Sequence, residues 1–196
     1  MKRVGITGSI GSGKSYVGTI LRSLGFDVLD ADARIHELYK ENVSLRRKLA
    51  QAFGEKSLVP EGVNRKFFAD LIFTDDSARE KLESIVYPYL TSAVTEFFAL
   101  KGAVDEENSV KFVEAALFSR TPQILEMLDE IWIVTAPEDV REKRLLHRGL
   151  SLEDARRRIA EQRGECDESK FTAKKIHVIE NSGDKLALEK KIGEIL

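Results

Sequence analysis

The sequence predicts an α/β fold of three layers, in which a mainly parallel five-stranded sheet is covered by helices. Three observations carry the prediction. Short apolar runs of strand length recur at residues 4–7, 26–30, 109–114, 131–134 and 176–179. Longer segments with apolar residues at helical spacing lie between them, and strands that alternate with helices build parallel sheets. The first run breaks into glycines and closes on a lysine and a serine, which marks a turn from the first strand into the first helix. At 196 residues the chain exceeds the common single-domain size without reaching two, so one core carrying an insertion is expected.

The turn reads Gly5-Ile6-Thr7-Gly8-Ser9-Ile10-Gly11-Ser12-Gly13-Lys14-Ser15. Gly8, four residues, Gly13, Lys14 and Ser15 match the phosphate-binding loop, a spacing that arises by chance in roughly one chain of this length in a hundred. The strand before it and the apolar Val17, Ile20, Leu21 and Leu24 at helical spacing after it supply the context the motif requires. Each residue type has a mechanical task. Glycines let successive N–H groups converge on one centre, and a helix starting near Lys14 aims its positive end there. Lys14 reaches the β- and γ-phosphates of a nucleoside triphosphate, and the Ser15 hydroxyl offers a ligand to Mg²⁺. The fold class is therefore a P-loop NTPase fold with a helical insertion and a helical lid.

Composition narrows the function. A single cysteine, Cys166, forms no internal disulfide, and three histidines give no clustered metal-ligand spacing, which points to a reducing, cytoplasmic setting. No signal-like segment opens the chain and no run of eighteen apolar residues occurs, so neither secretion nor a membrane span is expected. A net charge of -2 with a third of the residues charged argues against a dedicated nucleic-acid binder. Oligomeric state is not written in the sequence.

After the first helix, Gly25 stops the periodic pattern, and Phe26-Asp27-Val28-Leu29-Asp30 reads as a second strand ending in Asp30-Ala31-Asp32. That is the carboxyl edge, where open α/β sheets bind ligands. Asp32 equally suits the N-cap of the following helix, and His36, one turn on, either shares its ligand or is structural. Residues 43–100 read as helical, with a break at Phe53-Gly54 and a loop through 58–62. Asn64 is expected to cap one helix, and Asp75 or Asp76 the next, which ends near Tyr87-Pro88. Almost sixty residues then pass without a strand, as a second-substrate insertion would. The apolar Phe67, Phe68, Leu71, Ile72, Ile85, Leu90 and Phe97 read as core. Arg65, just inside the helix Asn64 begins, is a candidate anion contact.

The third strand ends in Glu114, a carboxylate placed to hold magnesium through water, or a plain strand-end charge. Asp129 and Glu130 precede the fourth strand, in which Trp132 reads as core, and Pro137 fits the first turn of the next helix. From 141 to 163 eight basic residues accumulate, among them Arg141, Arg144 and Arg148. Gly149 divides two helices there, and Ser151 begins the second. An arginine-bearing hairpin suits a lid over phosphates, while part of its charge serves a solvated face. Arg144 and Arg148, one turn apart, are the better phosphate candidates. The loop after the fifth strand, 180–184, either meets the nucleotide base or only turns into the last helix. The expected organisation is a core of 1–40, 101–140 and 164–196, an insertion of 41–100 and a lid of 141–163.

A GTPase would carry an Asn/Thr-Lys-x-Asp stretch, which is absent, and an assembly ATPase would be larger. The acid pair, helical insertion and arginine hairpin favour a small kinase. The phosphate loop with Leu24-Gly25 and Val28-Leu29-Asp30-Ala31-Asp32 resembles the dephospho-CoA kinase family. The likeness continues through Gly62-Val63-Asn64-Arg65, Leu82-Glu83-Ser84-Ile85, Arg144 with Arg148, Arg158-Ile159 with Gln162, and Val178-Ile179-Glu180-Asn181-Ser182-Gly183. Tyr87-Pro88 stands where that family usually has His-Pro, and Glu114-Ala115-Ala116-Leu117-Phe118-Ser119 replaces its Asp-x-Pro-Leu-Leu-x-Glu. The resemblance implies phosphorylation of the ribose 3′-hydroxyl of dephospho-CoA by ATP with Mg²⁺. It implies that Gly11, Ser12, Gly13, Lys14, Ser15, Tyr16 and Asn181 bind ATP, and that Ser15 and, through water, Glu114 hold the metal. Asp32, His36 and Arg65 then meet the acceptor, with Asp32, Lys14, Arg144 and Arg148 in catalysis. The rivals are another small-molecule or nucleotide kinase, and a slow ATPase that works through a partner surface.

Overall fold

Strand and helix alternate from the start in the structure, a computed structural model that describes residues 1–100, 109–116, 118–171, 174–182 and 184–196. Leu117 and Gly183, both part of the motifs above, lie outside the described residues. The first half contains β1 (Lys2–Thr7), α1 (Lys14–Ser23), β2 (Asp27–Asp30), α2 (Ala31–Glu41) and α3 (Val43–Phe53). There follow β3 (Leu58–Val59), β4 (Gly62–Val63), α4 (Arg65–Thr74) and α5 (Asp76–Ala99). The second half contains β5 (Val110–Glu114), α6 (Pro122–Met127), β6 (Glu130–Thr135), α7 (Glu138–His147), α8 (Leu152–Glu161), β7 (Lys175–Glu180) and α9 (Lys185–Ile195). The chain divides into two compact units, one of residues 1–30 and 100–196, the other of residues 31–99.

The first unit is built on a sheet of order β2-β5-β1-β6-β7 whose ladders are all parallel. Side chains alternate across a strand, so Val4 and Ile6 face one side of β1 and Gly5 the other. On the Val4 side, Val17, Ile20 and Leu21 of α1 and Leu188 and Ile192 of α9 pack with Phe112, Trp132, Val134 and Ile179 in one buried cluster. On the Gly5 side, Phe118 and Leu128 approach so closely that a Cβ at Gly5 would stand 2.5 Å from Leu128 Cδ1. Helices on both faces are the usual way to bury a parallel sheet. Fully burying one such aliphatic side chain is worth about 1.5–3 kcal/mol. The register sets Ile6 beside Glu114 and Glu114 beside Asp30, which gathers these strand ends at the carboxyl edge.

The second unit packs α2 to α5 around Leu38, Leu45, Leu49, Val63, Phe68, Leu82 and Val86. Phe68 meets Phe53 and Phe67 edge to face, with centroids 5.0 and 5.2 Å apart. The expected helix caps form: Asn64 Oδ1 accepts from Phe67 N–H at 3.1 Å and Asp75 Oδ1 from Ala78 N–H at 3.0 Å. Two expectations are corrected. Residues 58–62 are not a bare loop, because Leu58 and Val59 of β3 pair antiparallel with Val63 and Gly62 of β4. And α5 does not end at Tyr87-Pro88 but runs on to Ala99 with Pro88 inside it. Proline removes one helix hydrogen bond. The continuous buried face of Leu82, Val86, Leu90, Ala93, Val94 and Phe98 outweighs that loss. Among the described residues no helix is long and apolar enough to cross a membrane.

Candidate active site

Residues 8–13 carry the chain from β1 into α1, and the loop's shape depends on glycine at two points. Gly11 has φ of 80° and Gly13, the N-cap of α1, has φ of 95°. A side chain is strained in that left-handed region. At Gly11 it would also come within 3.0 Å of the Arg141 carbonyl. The turn is closed by Ser12 N–H donating to Ser9 O at 3.0 Å.

Glu114 stands beneath the start of α1. Its side chain is fully buried, and one oxygen, Oε1, takes both Ser15 Oγ at 2.5 Å and Lys14 Nζ at 3.1 Å. The other, Oε2, is buried with no hydrogen-bond partner among the described residues. Buried carboxylate oxygens are rarely left so. Glu114 therefore joins, through Oε1, the lysine and the serine that the motif dedicates to phosphate and metal, while its Oε2 lies against Gly18 of α1.

The arginines of α7 lie on the outer side of the loop. Arg144 donates through Nη1 to Gly11 O at 3.0 Å and Ser12 O at 3.1 Å, and through Nη2 to Asn181 O and Oδ1, both at 3.1 Å. Asn181 Nδ2 in turn donates to Ser12 O at 2.8 Å, and Asn181 N–H to Thr135 O at 2.8 Å. Arg144 and Asn181, expected at the phosphates and the base, thus also brace the loop itself. Burial, with the like charge of Arg148 beside it, pulls the Arg144 guanidinium below its usual pKa. Arg148 is exposed and, with Gly13, Tyr16, Arg144, Asn181 and Lys185, lines an open cleft of about 280 Å³ at the start of α1. Lys185 beside Tyr16 and Glu189 has its ammonium pKa raised, Tyr16 being the larger cause. A triad of cations around an exposed tyrosine at a helix N-terminus suits a flat, phosphate-bearing ligand.

Asp32, His36 and Arg65 all belong to the 31–99 unit. Asp32 is exposed in the first turn of α2, which begins at Ala31, so it is a first-turn acid and not the N-cap. His36 follows one turn later, half-buried. Arg65 is the first residue of α4, exposed, and acts electrostatically on Tyr39. Three contributors had no individual role in the sequence reading: Arg141, Gln162 and Lys185. Arg141 lies one helical turn before Arg144, a spacing that puts both on one face of α7. Gln162 entered only through the family likeness, and Lys185 carries no comparable local signal.

A model of the dephospho-CoA kinase family matches residues 2–186. The chain belongs to that family. It is 35% identical to the dephospho-CoA kinase of Geobacter sulfurreducens, over the whole of this chain and 97% of that one. Among solved structures it is similar to one from Thermus thermophilus, with a TM-score of 0.80 and 31% identity over 99% of this chain and 95% of that one. A dephospho-CoA kinase from Campylobacter jejuni superposes with a TM-score of 0.68 at 26% identity, covering 100% and 96% of the two chains. Membership of a kinase family makes the chain a phosphotransferase that uses ATP.

Proposed function

We propose that this chain transfers the γ-phosphoryl group of ATP to the ribose 3′-hydroxyl of dephospho-CoA, giving coenzyme A and ADP, the last step of coenzyme A synthesis. The observation that carries the proposal is the Lys14–Glu114–Ser15 arrangement under a phosphate loop, in a chain whose residues 2–186 match the family. The amides at the start of α1 receive the phosphates, Lys14 binds the β- and γ-oxygens, and the side of the cleft formed by Tyr16 and Lys185 receives the nucleoside.

Mg²⁺ fits the same residues, because Glu114 is a buried carboxylate bonded through Oε1 to the Ser15 hydroxyl, with Oε2 left without a hydrogen-bond partner among the described residues, and magnesium selects hard oxygen donors. Ser15 and, through water, Glu114 would hold it. When bound, it neutralises charge on the β- and γ-phosphate oxygens. The acceptor falls to Asp32, His36 and Arg65: Arg65 pairs with its phosphates, and Asp32 accepts a hydrogen bond from the 3′-hydroxyl. That oxygen bonds to the γ-phosphorus as the bond to the β–γ bridging oxygen breaks, ADP leaves, and the hydroxyl proton passes to Asp32. In a loose transition state Asp32 orients the hydroxyl and takes its proton late. Arg148 counters the charge spread over the transferring group. A cytoplasmic setting accords with the single cysteine and with both substrates.

ADP release from ATP with Mg²⁺, measured across a panel of acceptors, tests this. Strong stimulation by dephospho-CoA alone is expected. Stimulation by a nucleoside or another small alcohol instead would make the chain a different kinase, and ATP binding with no acceptor response would make it a partner-dependent ATPase.

A further inference from the structure

The peptide units around Ile10 are gripped from both sides by the helical hairpin of α7 and α8. Ile10 N–H donates to Gln162 Oε1 at 2.6 Å, and Ile10 O accepts from Arg141 Nε at 2.8 Å. The Ile10 side chain packs against Leu145, Ala155 and Ile159 of the same hairpin. Arg141 is costly to place there, since burial lowers its guanidinium pKa and its Nη2 is buried with no hydrogen-bond partner among the described residues.

A trans peptide is planar, with its carbonyl and the next residue's N–H pointing in opposite directions. Arg141 holds the carbonyl of Ile10, and Arg144 those of Gly11 and Ser12. The Ser12 N–H is spent on Ser9 O, so fixing the Ile10 and Ser12 carbonyls on the outer side fixes the N–H groups of Gly11 and Gly13 on the other, the side on which a phosphate-binding loop collects its anion. With the loop held before ligand arrives, the cost of ordering it is not charged to binding.

We infer that Arg141 and Gln162 are positioning residues that set the direction of the phosphate-loop amides by clamping the two peptide units at Ile10, so that the hairpin and the loop act as one body. The inference rests on the ATP site proposed above. It assigns these two side chains no contact with substrate.

The test compares wild type, Gln162→Leu, Arg141→Met and Arg141→Lys. ATP affinity is titrated calorimetrically without acceptor, and KM for ATP, KM for dephospho-CoA, kcat and Tm are measured alongside. Gln162→Leu changes no charge, so a loss of ATP affinity in it reports positioning and not attraction to phosphate. The expected result is a roughly three- to tenfold weaker Kd and higher KM for ATP in Gln162→Leu, the scale of one hydrogen bond. Acceptor KM should stay within about twofold, and Arg141→Lys, which can still donate to Ile10 O, should lose less than Arg141→Met. Wild-type ATP affinity in Gln162→Leu, or equal losses for ATP and acceptor, would overturn the inference, and a lowered Tm with unchanged ATP affinity would reduce Gln162 to a structural role. Should wild type bind ATP but give no turnover with dephospho-CoA, the acceptor assignment fails while the affinity comparison still decides the clamp.

Discussion

Lys14 and Ser15 share one oxygen of a fully buried Glu114, so a single carboxylate governs both residues the motif assigns to phosphate and metal. Glu114→Gln keeps the shape but removes the charge that holds the ammonium group. Hydrogen bonds to charged groups are worth about 1.5–3 kcal/mol, so kcat should fall roughly ten- to a hundredfold in a protein with an unchanged circular dichroism spectrum. Lys14→Ala removes the cation itself, and steady-state turnover should drop by roughly two to three powers of ten, as when one transition-state donor is lost. Asp32→Asn separates roles: kcat should collapse while ATP affinity, read by titration, stays near wild type. The loop was readable at this scale because its chemistry is local, with glycine, lysine and serine at fixed spacing. The brace by Arg144 was not. Its partners Gly11 and Ser12 lie more than 130 residues away, and a sequence shows an arginine's charge but not which carbonyls it will find.

Elements were readable where one force dominates. The parallel strands are apolar runs with a single outcome, and Asn64 and Ser151 begin helices because a short polar side chain there satisfies an orphan N–H, as both do. Asn64→Ala should therefore lower stability by about 1 kcal/mol in denaturant unfolding. It should also raise acceptor KM more than ATP KM, because α4 presents Arg65 from its first residue. Pro88 misled the reading for the opposite reason. Local preference says stop, but the buried stripe from Leu82 to Phe98 is tertiary and carries the helix through. The β3–β4 pair is too short to show a period of two.

For the molecule as a whole, the residues proposed to meet the acceptor, Asp32, His36 and Arg65, belong to the 31–99 unit, and those proposed to hold ATP to the unit of 1–30 and 100–196. Tyr39, in the 31–99 unit, has its hydroxyl pKa raised from 10.0 to about 12 by burial, against the pull of Arg65. A raised folded pKa contributes stability that is complete below the unfolded value and is lost as pH rises through the folded one. Alkaline titration between about pH 10 and 12 should thus destabilise this unit by on the order of 2 kcal/mol, and Tyr39→Phe should flatten that part of the profile.

The most direct measurement of the central claim follows the label from γ-³²P-ATP in the presence of Mg²⁺ and either dephospho-CoA or its 3′-deoxy analogue. The account predicts labelled coenzyme A from the first and no labelled product from the second. Label transferred to the analogue would contradict the 3′-hydroxyl as acceptor, and label released only as inorganic phosphate in both would contradict the kinase reading of the site.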